Sequence, residues 1–168
     1  INCTFTTPAS GITTGNSIFI RQTAAATRTF YVDNLSVTIA ADYNFATDGT
    51  ANDSGTFATN WPTAGLGTVT TSRLTTDGFE ASDSAQAAVI VGAVNAGIRN
   101  KLSSNPLPST LYRVTVYGKL VSGAAFTDFK VRYSYNGNTT TTLSNYVDCV
   151  DYNTQTITTS GWTKVTCY

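Results

Sequence analysis

The feature that most constrains the fold is a period-two alternation of apolar and polar residues, present in nearly every segment of the chain. The run Leu111–Lys119 alternates over its whole length. Because successive side chains of a strand point to opposite faces, this run predicts a strand with one buried face and one solvated face. Its two faces are Tyr112, Val114 and Val116 against Arg113, Thr115 and Tyr117.

Further runs with strand-like composition cover 17–22, 29–38, 67–70, 87–91, 129–135, 140–150 and 162–168. Turn-forming residues separate them, as at Asn136-Gly137, where Asn-Gly tolerates the positive φ of a tight hairpin turn. No segment shows helical periodicity with capping residues, and the one short candidate for a helix is 82–88. Many short strands spaced by turns predict an all-β sandwich or jelly roll in one domain.

Charge and composition exclude several classes of function. The formal net charge is +0 and only 12% of residues are charged, so nucleic acid and anionic membrane are not expected partners. The chain has no His, which excludes imidazole metal sites and His-based acid–base catalysis. The ten acidic residues form no motif that pairs an acid with a base. We therefore expect no catalytic residues and no enzyme activity.

The polar residues between the apolar ones are mainly Thr, Ser and Asn, a composition common in exposed sheets of secreted and cell-surface proteins. No window holds the roughly 20 apolar residues of a membrane span, so membrane insertion is not expected. No signal peptide is visible at Ile1, and the expectation is a mature or excised piece of an extracellular protein.

Three cysteines leave one over if a disulfide forms. Cys149 and Cys167 lie in strand-like sequence, and we favour a disulfide between them over buried free thiols, with Cys3 as the alternative partner. The chain has no CxxC spacing, which makes zinc binding a weak alternative.

Three motifs resemble the carbohydrate-binding jelly-roll domains of bacterial extracellular enzymes and surface proteins. The first is the segment Phe30-Tyr31-Val32-Asp33-Asn34-Leu35-Ser36-Val37, which is similar to the final strand of that family. The second, Pro108-Ser109-Thr110-Leu111-Tyr112 and the strand after it, resembles a middle strand. The third is split, with Gly161-Trp162-Thr163-Lys164-Val165 resembling the first half of the penultimate strand and Cys3-Thr4-Phe5-Thr6 its second half.

The resemblance implies a jelly-roll β-sandwich in rotated order, with the final strands first in the chain. Val165-Thr166-Cys167 repeats the pattern of Ile1-Asn2-Cys3, which gives an offset of 164 residues (165 − 1). We expect 1–40 to supply the final strands, closing its own or a neighbouring sandwich, and 41–168 to form the main body. Three alternatives stay open: a piece of a tandem array, a permuted domain that folds on itself, or a subunit that donates 1–40 to its neighbour. Since Ile1–Thr4 and Val165–Tyr168 would compete for one strand position, joining of copies is favoured over self-closure.

The resemblance also implies a structural calcium between the opening segment and the final Asp-bearing strand. Asp33 matches that final Asp, and the opening segment contains Asp42, Asp48 and Asp53. The alternative is that these residues only form turns.

Sugar binding would use exposed aromatic rings with polar partners, and the candidates are Tyr117, Tyr133, Tyr135 and Arg132. For any single Tyr, a place in the core is the stronger alternative. Trp61 and Trp162 occupy positions that are usually core in the resembled family.

These observations predict a structural or adhesive repeat of an extracellular surface fibre, whose partners are copies of itself joined head to tail. The alternative is a non-catalytic carbohydrate-binding module of a secreted polysaccharide-degrading enzyme, with a polysaccharide or surface glycan as partner. A phage or toxin appendage is a third, weaker interpretation.

Overall fold

A computed structural model describes residues 2–7, 16–22, 24–38, 44–65, 67–79, 83–91, 96–125, 129–135, 145–148 and 156–167. The elements in these ranges are antiparallel strands and one short helix. They build two sheets with a shared apolar core.

Sheet A has six strands. They are β1 (Asn2–Thr6), β3 (Arg28–Thr38), β5 (Thr68–Leu74), β6 (Ser84–Val91), β8 (Leu111–Ser122) and β11 (Thr163–Cys167). The order across the sheet is β1-β8-β3-β6-β5, and β11 also pairs with β8.

Sheet B has five strands. They are β2 (Ser17–Gln22), β4 (Thr63–Ala64), β7 (Gly97–Lys101), β9 (Phe129–Ser134) and β10 (Tyr146–Asp148). Their order is β10-β9-β2-β7-β4. The helix α1 (Phe57–Asn60) precedes β4 and contributes Phe57 to the core.

Strand β8 shows how the alternation in sequence becomes a core. Tyr112, Val114 and Val116 are fully buried, whereas Arg113 is exposed and Tyr117 is half-buried, which confirms the predicted faces. The pattern continues through Leu120 because the strand extends to Ser122, three residues past the predicted end.

The inner faces of the two sheets meet in one core. The ring of Phe30 in sheet A packs edge-on against Phe129 in sheet B, with 6.0 Å between centroids and 83° between planes. Trp61 is fully buried and donates its indole N–H to the carbonyl of Asp48 at 2.9 Å, so its predicted place in the core is confirmed. The all-β sandwich predicted from the sequence is therefore the observed architecture.

Strand β3 contains an irregularity that the alternation did not predict. Phe30 and Val32 face the core, and so do Leu35 and Val37, so the inward phase shifts by one residue between the two pairs. The register against β8 shifts between Asp33 and Ser36, and Asn34 has a positive φ of 49°. A β-bulge with Asn in the left-handed region accounts for both observations.

Candidate functional site

The outer edge of β8 receives two strands instead of one. β11 pairs with it from Gly118 down to Val114, and β1 pairs with it from Thr115 down to Leu111. Both strands are antiparallel to β8 and therefore run in the same direction. Strand β1 thus continues along the edge where β11 ends.

The two strands overlap by two positions in the same register. Thr166 and Asn2 both lie opposite Thr115, and Cys167 and Cys3 both lie opposite Val114. One strand edge offers one set of ladder hydrogen bonds, so at these positions the two segments are equivalent and compete.

The first strands of the chain are central to both sheets. β2 lies between β9 and β7, and β3 lies between β8 and β6. Without β2 and β3, sheet A would separate into β8 with β1 and β11 on one side and β6 with β5 on the other. Sheet B would likewise separate into β9 with β10 and β7 with β4.

Asp33, the first predicted calcium ligand, is buried beside the bulge of β3. One carboxylate oxygen accepts a hydrogen bond from the backbone N–H of Asn34 at 2.7 Å. The other accepts one from the backbone N–H of Phe79 at 2.5 Å. The carboxylate therefore fastens the segment around Phe79 to the outer side of sheet A.

Asp48 and Asp53 organise the turn before α1. The carboxylate of Asp48 accepts hydrogen bonds from the N–H groups of Asn52 and Asp53. That of Asp53 accepts from the N–H of Gly55 and the hydroxyl of Thr56. Burial raises the pKa of Asp48 from its ordinary value.

In the same turn, the hydrogen bond from the Thr56 hydroxyl lowers the pKa of Asp53. The guanidinium of Arg73 donates hydrogen bonds to the backbone carbonyls of Ala51 and Asn52, at 2.9 and 3.0 Å. It also forms a 2.8 Å ion pair with Asp83.

The fourth predicted ligand, Asp42, lies outside the described residues. Within the described ranges, no group of three or more His, Cys, Asp or Glu side chains is close enough together to hold a metal ion. The calcium site stays a prediction.

Of the predicted disulfide residues, Cys149 lies outside the described residues. The backbones of Cys3 and Cys167 share their register against β8, as stated above. The pairing of the cysteines stays a prediction.

Tyr117, the first predicted sugar-binding residue, belongs to an aromatic cluster on the outer side of sheet A. The ring of Phe79 stacks on it, with 3.6 Å between centroids and 13° between planes. Trp162 meets Phe79 edge-on, with 6.4 Å between ring centroids, and lies tilted by 31° against Tyr31 at 6.3 Å. Phe79 is 38% exposed and therefore presents the most accessible ring of this outer aromatic cluster.

An ion pair borders the outer aromatic cluster. The ammonium of Lys119 lies 2.6 Å from a carboxylate oxygen of Asp77. Burial, followed by the negative charge of Asp77, raises the pKa of the neighbouring Tyr31. Apolar rings beside charged hydrogen-bonding groups form a surface suited to a sugar ring.

The other predicted sugar-binding residues lie in sheet B. Tyr133 is fully buried and donates its hydroxyl to the side-chain oxygen of Asn16 at 2.7 Å, while Tyr135 stacks against it at 5.8 Å. Arg132 is buried, is ion-paired with Asp148, and packs 3.9 Å from the ring centroid of Tyr146. The structure therefore does not bring Tyr117 together with the other three candidates.

Sequence reasoning missed Phe79, Tyr31 and Trp162 as members of a surface cluster. Trp162 is half-buried on the outer side of sheet A, which differs from the core position expected for it. The alternation could have predicted an outward-facing Tyr31, because its neighbours Phe30 and Val32 face the core. Phe79 lies in a loop and had no such signal.

Searches with the chain match no protein-family model, no curated protein and no solved structure. Within the part of the chain that the structure describes, no helix has the length and apolar character needed to cross a membrane.

Proposed function

We propose that this chain is a structural and adhesive repeat of an extracellular surface fibre, in which copies join head to tail through a shared strand. The observation that carries the proposal is the shared edge of β8. Asn2 with Cys3, and Thr166 with Cys167, lie opposite the same residues of that edge. Equivalent segments at two places in one chain fit a unit whose sandwich is completed across the junction between copies.

The strand pairing supports a jelly roll with rotated order. In a jelly roll of eight strands, the first pairs with the eighth, the second with the seventh, the third with the sixth and the fourth with the fifth. In this comparison, β6, β7, β8, β9 and β10 take the places of the first to fifth strands. The sixth place is taken by β11 and β1 together, the seventh by β2 and the eighth by β3. The expected pairs are then β6–β3, β7–β2, β8 with β11 and β1, and β9–β10, and all four are present.

The overlap favours a covalent array among the modes of joining. In a covalent array, Thr166 and Cys167 of one copy would take the same positions as Asn2 and Cys3 of the next. A single strand would then extend along β8 from Gly118 to Leu111. In non-covalent donation of 1–40, two residues of either β1 or β11 must leave the edge. A repeated head-to-tail contact that does not close propagates into a filament in both cases.

An extracellular location belongs to this proposal. The edge strand β5 presents Thr68, Thr70 and Ser72 to solvent, a polar and uncharged surface of the kind expected from the composition. A disulfide between Cys149 and Cys167 and a calcium near Asp33 would suit that location.

The test is a rearranged chain that begins at 41, runs to Cys167, continues directly with Thr4 and ends at 40. It keeps one copy of the equivalent residues and makes the shared strand continuous. We expect a folded monomer at least as stable as the parent chain in urea denaturation. A matched variant with one extra residue at the junction would turn the following side chains to the wrong face, and we expect it to be clearly less stable.

Equal stability of the two rearranged chains, or failure of both to fold, would contradict the shared strand. The fibre is tested separately, by light scattering and negative-stain microscopy of the native material. Filaments, or a mass far above the 17.8 kDa of one chain, are expected. A monodisperse monomer in native material would refute the assembly while leaving the sandwich topology intact.

The outer aromatic cluster favours a second candidate function, a non-catalytic carbohydrate-binding module. Phe79 and Trp162 would contact the sugar faces, with Tyr117 stacked behind Phe79. Binding of neutral polysaccharides to the parent chain and to Phe79→Ala tests this function, with Leu107→Ala as an exposed apolar control. Affinity that is lost only in Phe79→Ala supports the module, and absence of binding removes it.

A further inference from the structure

One long edge of the sandwich is open. Strand β5 is the last strand of sheet A, and apart from its ladder with β6 no backbone group of β5 has a hydrogen-bond partner within the described residues. None of its seven residues is buried. Val69 and Thr71, which alternate with the exposed residues of the strand, keep partial solvent contact. The outward N–H and C=O groups of β5 are therefore accessible to another strand.

The other edge strands are short, charged or already used. In sheet B, β4 has two residues, and β10 has three, including Asp148 in its ion pair with Arg132. At the opposite edge of sheet A, β11 contains Lys164 and belongs with β1 to the shared strand. Short length and charge normally protect an edge from pairing with another chain. Strand β5 is the longest edge strand of the two described sheets, and it contains no Pro, Lys, Asp or Glu.

The side of sheet A that ends in β5 is almost free of charge. Strands β5 and β6 together contain one charged residue, Arg73. Its guanidinium is engaged within its own copy, by a 2.8 Å ion pair with Asp83 and a 2.9 Å hydrogen bond to the carbonyl of Ala51. A second copy therefore meets no uncompensated like charge at this edge.

Strand β5 is also regular along its length. Its register with β6 shifts between Thr68 and Val69, and the extra residue, Ile90, lies in β6. Because a bulge bends the strand that carries the extra residue, β5 keeps an even edge. Such an edge suits pairing with an equally even strand.

The sequence of β5 is complementary to itself in the antiparallel direction. A two-fold axis at Thr71 places Thr70 opposite Ser72 of the second copy, and such hydroxyl pairs across strands are favourable. It also places Val69 opposite Arg73, whose aliphatic stem packs on apolar side chains. The two Arg73 residues are then four positions apart (73 − 69), about 14 Å, a distance at which salt screens their repulsion.

Antiparallel pairing also separates the acidic turns beside one end of β5. The guanidinium of Arg73 binds the carbonyls of Ala51 and Asn52, so the turn that contains Asp48 and Asp53 adjoins the end of the strand near Arg73. Parallel pairing would bring the two acidic turns together, whereas antiparallel pairing places them at opposite ends. The charges therefore favour the two-fold arrangement.

We propose that β5 is a lateral contact between copies, in which two copies join their A sheets edge to edge by antiparallel pairing of β5 about a two-fold axis. The inference rests on the proposed fibre, because an isolated pair of strands is only marginally stable in water. Single copies associate weakly, whereas two fibres repeat the contact along their length and bind firmly. The contact thus bundles fibres side by side.

Sedimentation equilibrium of the full chain over a series of concentrations tests the contact. The parent should form a weak dimer at high concentration. Thr70→Lys with Ser72→Lys places like charges opposite each other across the axis and should lower the association constant at least about tenfold. Thr70→Lys with Ser72→Glu changes the same positions but places opposite charges across the axis, and should associate at least as well as the parent. Head-to-tail joining uses the other edge of sheet A and should be the same in all these chains.

A control chain with Ser104→Lys and Ser122→Lys adds the same charge at exposed positions outside β5. It should stay within about twofold of the parent, and circular dichroism checks the fold of every variant. Hydrogen exchange is a second readout that needs no substitution. The outward amides of β5 should exchange more slowly as the parent associates.

Negative-stain microscopy of the native material separates this inference from the fibre itself. Filaments that lie side by side in pairs or bundles are expected. Single filaments that never pair would overturn the lateral contact and leave the fibre intact. Absence of filaments would refute the fibre, and the bundling with it.

Equal association of the Lys/Lys and Lys/Glu chains would overturn the antiparallel pairing. So would a parent chain that stays monomeric at every concentration but binds a synthetic peptide of alternating Thr and Val, because the edge would then receive a foreign strand. If the variants fail to fold, hydrogen exchange of the parent decides the outcome, since amides of β5 that stay unprotected contradict the contact.

Discussion

Removal of residues 1–40 should unfold the remaining chain, because these residues supply a central strand to each sheet. The segment contains seven apolar side chains without solvent exposure: Ile18, Phe19, Ile20, Phe30, Val32, Leu35 and Val37. Complete burial of such side chains contributes about 1.5–3 kcal/mol each, or on the order of 10–20 kcal/mol together. A domain of this size has a total stability of about 5–15 kcal/mol, so the chain 41–168 cannot keep its sandwich alone.

The assay adds a synthetic peptide 1–40 to the purified chain 41–168 and follows strand content by circular dichroism. We expect little native structure without peptide and a folded one-to-one complex with it. A control peptide with Phe30→Ser and Val32→Ser loses two buried side chains of β3 and should not restore the fold. A chain 41–168 that unfolds cooperatively at the urea midpoint of the parent would refute the reasoning.

Three further predictions concern single residues. Trp61→Phe removes the buried N–H bond to the carbonyl of Asp48 and should lower the free energy of unfolding by about 1–3 kcal/mol in urea denaturation. Gly97→Ala would bring a Cβ within 2.1 Å of the carbonyl oxygen of Ile20, and should cost at least about 2 kcal/mol in the same assay. Burial raises the pKa of Tyr133 above its unfolded value of about 10. The stability that the neutral hydroxyl contributes is therefore fully present below pH of about 10, and it is lost as pH rises through the folded pKa. Tyr133→Phe should flatten this loss in alkaline denaturation.

The predictions for Gly97 and Tyr133 each have a matched control. Gly161→Ala places its Cβ where nothing lies within 4 Å and should leave stability unchanged. The exposed Tyr146→Phe should keep the alkaline loss of the parent. A Gly97→Ala chain as stable as the parent would contradict the close backbone approach, and a full alkaline loss in Tyr133→Phe would place its origin at another residue.

The sequence was most informative where alternation and β-branched composition coincided. Strand β2 has the predicted bounds, and β8 begins at the predicted residue Leu111. Strand β7 was missed because its pattern is concealed: it begins with Gly97, and its inward residues include Asn100. That amide is buried and hydrogen-bonds the backbone of Thr47 in both directions, a tertiary arrangement that local composition does not encode.

The equivalence of the two ends of the chain could be predicted from the sequence, because it depends only on a motif that is repeated 164 positions later (165 − 1). Asn2 and Thr166 differ by the same 164 positions (166 − 2) and lie opposite the same residue of β8. The outer aromatic cluster was not accessible, because it needs the loop around Phe79 to be held by the carboxylate of Asp33. Such long-range hydrogen bonds join segments that no local pattern relates.

The central position of the first strands affects how the chain folds during synthesis. The partners of β3 lie at 85–89 and 113–122, and those of β2 at 97–101 and 129–134. These strands therefore leave the ribosome long before their partners are synthesised. This delay slows formation of the sandwich and exposes unpaired strand edges that are prone to aggregation. In a chain of joined copies the delay disappears, since the preceding copy already offers the equivalent partners. Each new segment would close the sandwich made just before it, and folding would then keep pace with translation.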